Sequence, residues 1–134
     1  VFMTYLGLDV GSERIGVAMG DSEMKLASPI ETLATKPEAR CFAHLAELIR
    51  KERVGGVVVG VPRLLVKRDQ ATEQQAWIYA WAERFYDACG VRPLFEDETL
   101  TSQLAERWQR EQGGRGKRDD LAAVAILQGF FDRS

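Results

Sequence analysis

Apolar and polar positions alternate over residues 4–10, TYLGLDV, and again over 14–20, RIGVAMG, with Gly11-Ser12-Glu13 between them. The pattern predicts two strands joined as a hairpin. Residues 26–34 contain Pro29 and predict a third strand near a sheet edge, because proline has no N–H to give a neighbour. From Glu38 to Glu52 the spacing changes: Phe42, Leu45, Leu48 and Ile49 recur at helical intervals. Residues 54–62, VGGVVVGVP, are a continuous apolar run ended by Pro62, the mark of a strand buried on both faces. A second helix is predicted over roughly Asp69 to Cys89, with Ala76, Ile78, Trp81, Phe85 and Tyr86 on its apolar side. VRPLFED, residues 91–97, predicts a short strand, and Glu98 to Gln112 a helix. GGRGKR, residues 113–118, reads as a flexible basic connection, and 119–131 as a nearly all-apolar last helix. The order β-β-β-α-β-α-β-α-α implies an α/β fold, a five-stranded mixed sheet with helices on both faces, in one domain over 1–134.

Composition narrows the partners. The 134 residues are 46% hydrophobic and 28% charged, with a formal net charge of −2. A protein that coats nucleic acid non-specifically is usually basic, so any nucleic-acid contact here must come from local patches. Cys41 and Cys89 stand far apart, which is neither a disulfide framework nor a zinc motif. No signal peptide or long apolar run is present, so no membrane contact and a cytoplasmic location are expected.

The acids hold the candidate chemistry. Asp9 lies in an apolar strand among Leu6, Leu8 and Val10, where an unpaired charge is costly to bury. Asp97 and Glu98 end the last strand, and Asp119 and Asp120 open the last helix. Sites in open α/β sheets gather beyond the carboxyl ends of strands. Carboxylates gathered there repel one another unless a cation joins them, and their oxygens suit Mg²⁺ or Mn²⁺. Two such ions form the clamp that serves phosphodiester hydrolysis. Taken singly, Asp9 could bond the 11–13 turn, and Asp97, Glu98, Asp119 or Asp120 could cap a helix. Arg14, Arg63, Lys67, Arg68, Arg115, Lys117 and Arg118 surround the expected site and are candidates for phosphate contacts. His44 sits mid-helix and reads as structural, and Trp77, Trp81 and Trp108 read as core or interface.

GLDVGSERIGVAMGD, VVVGVP, DETLTS and DDLAAVAIL, in that order, resemble the YqgF family, also called RuvX. These are nucleases of the ribonuclease H-like class, related to the RuvC Holliday-junction resolvases. The resemblance spans nearly the whole chain. It implies a ribonuclease H-like fold and a two-metal Mg²⁺ or Mn²⁺ site on Asp9, Glu98 and Asp119, the last being the Asp three residues before Ala122-Ala123. Thr99 stands where the family has Arg, and RLLVKRDQ, residues 63–70, replaces an Asn-Met-Asp-Gly loop. The resemblance points to maturation of the 5′ end of 16S ribosomal RNA, with Holliday-junction resolution in recombination and repair as the alternative. A resolvase cuts two strands symmetrically and so implies a homodimer, for which Trp77, Trp81 or Phe85 is a candidate face.

Two other classes compete. An actin-like or sugar-kinase-like ATPase carries an Asp-x-Gly turn similar to Asp9-Val10-Gly11, but needs two such domains where this chain has room for about one. A non-catalytic nucleic-acid-binding scaffold has little reason to hold the acids.

Overall fold

The computed structural model describes residues 3–62, 72–97 and 118–134, with the side chains of 118–120 outside that description. Strands β1 (Thr4–Val10), β2 (Arg14–Asp21) and β3 (Ala27–Ala34) precede helix α1 (Glu38–Lys51). Strand β4 (Val54–Val61), helix α2 (Glu73–Cys89), strand β5 (Leu94–Asp97) and helix α3 (Arg118–Arg133) follow. The expected helix over 98–112 and residues 113–117 of the expected basic connection over 113–118 lie outside the described residues, while Arg118, expected in that connection, opens α3.

The strands form one sheet in the order β3-β2-β1-β4-β5. The β1–β2 and β2–β3 pairs are antiparallel, and β4 pairs in parallel with both β1 and β5. The central strands have the alternation that two covered faces require. Leu6, Leu8 and Val10 of β1 join Val57, Val59 and Val61 of β4 in a core with α1 and α2. Ala18 and Val58 point the other way, against Ala123, Val124, Ile126, Leu127 and Phe131 of α3. Helices therefore cover both faces, as expected. The third strand is an edge, also as expected. Val17 pairs with Glu31 and Ala18 with Pro29, so Ile30 is the extra residue of a bulge. Bulge and proline together blunt an edge against strand addition.

Two boundaries differ from expectation by three residues or more. Helix α2 begins at Glu73 rather than near Asp69, because Thr72 caps it: its hydroxyl accepts from the Gln75 N–H, and the Gln75 side chain accepts from the Thr72 N–H. It ends at Gly90, whose φ of 77° is the left-handed cap that glycine adopts without strain. Strand β5 starts at Leu94 instead of Val91, since Pro93 has no N–H for the ladder.

The buried face of α2 also differs. It is Gln75, Ile78, Trp81, Ala82 and Phe85, while Ala76 is exposed and Tyr86 only half-buried. Gln75 can be buried because its Nε2 donates to the Pro62 carbonyl at 2.6 Å, which satisfies a polar group that would otherwise be costly. Trp81 and Phe85 stack at 5.3 Å with Phe42 of α1 beside them. Both are 0% exposed, so neither can supply a dimer face. Trp108 lies outside the described residues.

Candidate active site

The site is set by how α3 lies on β1. Gly7 brings the two together: a Cβ there would stand 2.7 Å from the Leu127 Cβ and 2.9 Å from the Ala123 carbonyl oxygen. Two residues earlier on β1, the Tyr5 ring meets Phe130 and Phe131 at 5.2 and 5.9 Å. Rising residue number along α3 thus matches falling number along β1, and the two run antiparallel. Asp9 lies two residues beyond Gly7, about 6.7 Å along a strand. Residues 119–120 lie in the first turn of α3, three to four residues before Ala123, about 4.5–6 Å along a helix. The first turn of α3 therefore comes to the carboxyl end of β1, where Asp9 stands.

Asp9 faces α3 by alternation with Leu8 and Val10, and is half-buried. Its neighbours on the sheet leave room. Gly16 of β2 is its partner, and Leu8 pairs with Val59, so the next step sets Gly60 of β4 beside Asp9. Two flanking positions without side chains suit the approach of a cation or a phosphate.

Gly60 in turn pairs with Glu96 of β5. Glu96 is thus a second acid in the same row, a place that follows from strand register and not from its sequence neighbours Asp97 and Glu98. It is 5% exposed and its carboxylate is held by Arg133 of α3. That guanidinium neutralises it, so Glu96 serves packing and is not open to a cation. Asp97 closes β5 beside Val61 and shares the parity of Phe95, which belongs to the α1–α2 core.

The β1–β2 turn beyond Asp9 is tied down. The Gly11 N–H donates to the Arg14 carbonyl. Thr35, 2% exposed, donates its hydroxyl to the Gly11 carbonyl at 2.9 Å and its N–H to the Glu13 carbonyl at 2.9 Å. Thr35→Val is expected to destabilise by about 0.5–1.5 kcal/mol, because the half-buried Gly11 carbonyl loses its partner. Thr35→Ser is expected to stay near wild type, and denaturant melts of both check this.

The remaining predicted residues fall as follows. Arg14 is exposed at the start of β2, and Arg118 is the first residue of α3. Glu98, Arg63, Lys67, Arg68, Arg115 and Lys117 lie outside the described residues, and Asp119 and Asp120 are described by backbone alone. Among the described residues no group of three metal-ligating side chains occurs. His44 pairs with Glu31 at 3.0 Å, joining α1 to β3, which matches a structural role. Burial pushes the Cys89 thiol up to about 11, with the Cys41 thiol adding to it. Burial raises Cys41 as well, so neither is an activated thiol. No helix among the described residues is long and apolar enough to cross a membrane.

The chain is similar to known proteins in sequence and in fold. The sequence matches the family described as RuvX, Holliday junction resolvase, over residues 3–133. A Chloroflexus aggregans protein provisionally named a pre-16S rRNA nuclease is 39% identical, covering 96% of this chain and 93% of its own. One from Anaeromyxobacter with the same name is 37% identical, covering 97% of each. The solved structure of Thermus thermophilus RuvC in complex with Holliday junction substrate superposes with a TM-score of 0.65 at 18% identity, covering 98% of this chain and 94% of that one. That likeness establishes the ribonuclease H-like fold of RuvC. With a family match from residue 3 to residue 133, the chain belongs to the RuvX Holliday junction resolvase family.

Proposed function

We propose that this chain is a divalent-metal-dependent nuclease that hydrolyses phosphodiester bonds in maturing the 5′ end of 16S ribosomal RNA. The observation that supports it most is the close approach of α3 to β1 at Gly7, which sets the first turn of α3 beside the end of β1. In this reading Asp9, Glu98 and Asp119 hold Mg²⁺ or Mn²⁺. The open glycines beside Asp9 and the oxygen-only donor set fit such ions. The ions, when bound, activate water and offset charge on the phosphate. Asp97 shares the parity of Phe95 on the α1–α2 face, which argues against it as a ligand beside Asp9. The chain's own part is to fix the carboxylates in place and to position the phosphate with Arg14, Arg63, Lys67, Arg68, Arg115, Lys117 and Arg118.

Relatives' names point to ribosomal RNA, and the family description points to junction resolution. One assay separates them. Purified protein is given a 16S precursor fragment and a four-way DNA junction, with Mg²⁺ or Mn²⁺ and then with chelator. Metal-dependent trimming of the RNA, lost on chelation, is the expected result. Paired symmetric nicks in the junction with the RNA spared would replace the RNA reading by a dimeric resolvase. Cleavage that survives chelation would refute metal dependence.

A further inference from the structure

Most arginines on the described surface are already engaged. Arg50, Arg84, Arg92 and Arg133 are each held by a glutamate. The side chains of Arg14, Lys36 and Arg40 are exposed, and none of the three enters an ion pair or hydrogen bond among the described residues. They also converge. Arg14 pairs with Ala34 at the end of β3, and the two Thr35 hydrogen bonds fasten the next residue to the β1–β2 turn. Lys36 follows directly, and Arg40 stands in the first turn of α1. Arg14 is two residues from Gly16, the partner of Asp9, or about 6–7 Å along a strand. The three cations therefore border the β3 side of the sheet end where Asp9 lies, with Arg40 in the α1 layer and Asp9 on the α3 face.

Among the described residues, the nearby acids other than Asp9 leave this charge largely in place. Glu38 is taken by Arg84 and Glu31 by His44, leaving Glu13 of the turn, which is exposed. Backbone contacts from cations on a fixed scaffold set the register of a nucleic acid without reading its sequence. A net charge of −2 makes such local clusters necessary for any phosphate contact. We propose that Arg14, Lys36 and Arg40 form a phosphate-binding rim that holds the nucleic-acid backbone on the β3 side of the Asp9 site. The proposal rests on the nuclease reading and adds Lys36 and Arg40 to it.

The test is the double variant Lys36→Ala/Arg40→Ala in an Asp9→Asn background, which removes cleavage from the binding measurement. Labelled 16S precursor RNA and a four-way junction are titrated across a salt series. Each lost phosphate contact lowers the salt slope by about 0.7–0.9. The expected result is binding roughly 10- to 100-fold weaker near physiological salt, with the slope reduced by about 1.4–1.8 for the pair. Lys51→Ala/Arg53→Asn, at the opposite end of α1, is the control and should bind as the parent does. Asn is chosen because Arg53 has a φ of 53°, which asparagine tolerates. Unchanged affinity and slope in the double variant, with wild-type cleavage intact, would overturn the rim alone. A wild-type protein that neither binds nor cuts either substrate would overturn the rim and the nuclease reading together. The substrate whose affinity falls more identifies the backbone that the rim holds.

Discussion

Asp9→Asn is expected to lower cleavage by at least about 10³-fold, or about 4 kcal/mol at 1.36 kcal/mol per tenfold, while leaving the fold intact. The two side chains are nearly the same size, so the neighbours Gly16 and Gly60 keep their places and the Leu6, Leu8 and Val10 face is untouched. What goes is the charge. A neutral amide is a poor ligand for a hard divalent ion, and several kcal/mol of transition-state stabilisation depends on that ion. Melting temperature should hold, because the amide has nearly the shape of the carboxylate it replaces and opens no cavity. Nucleic-acid affinity should also hold, since one negative charge leaves the site. Three measurements decide the matter: cleavage rate with saturating Mn²⁺, thermal melting, and binding. Wild-type cleavage would remove Asp9 from the site. Loss of cleavage together with a collapsed melting temperature would make Asp9 a structural residue instead.

Asp9 was legible as an anomaly, one acid in a strand that otherwise reads as core. The sheet was legible for the same reason: β1, β2 and β4 state their burial through periodicity, and Pro29 states that β3 is an edge. Other features depend on contacts that periodicity does not encode. Gln75 is polar yet buried, because Pro62, far from it in the chain, offers a carbonyl. The Thr-x-x-Gln spacing at 72–75 is a capping-box signature and could have set the start of α2. Glu96 is buried through an arginine 37 residues away, and its place in the row with Asp9 follows from strand register alone. Trp81 and Phe85 suit an interface by type, and only the packing of α1 on α2 shows them enclosed.

Gly7→Val is expected to destabilise by about 3 kcal/mol or more, at or beyond the upper end for overpacking a core. The first atom added is the problem. Its Cβ would lie 2.7 Å from the Leu127 Cβ and 2.9 Å from the Ala123 carbonyl oxygen, and neither is the tip of a flexible side chain that could swing aside. The helix itself must move away. As it moves, Ala123, Ile126, Leu127 and Phe131 lose contact with Ala18 and Val58. For a chain of 134 residues the melting temperature should fall by more than about 10 °C. Gly7→Ala keeps only the Cβ clash and should cost less, about 1–3 kcal/mol. The same displacement reaches the chemistry, because Asp119 opens the helix that Gly7 admits. At a temperature where both variants remain folded, cleavage should fall in the order wild type, Ala, Val, even though residue 7 touches no substrate. A Val variant that melts with the wild type would show that α3 does not rest on β1 at Gly7. A Val variant that melts early yet cleaves fully when folded would separate α3 from the site and remove Asp119 from the proposed ligands.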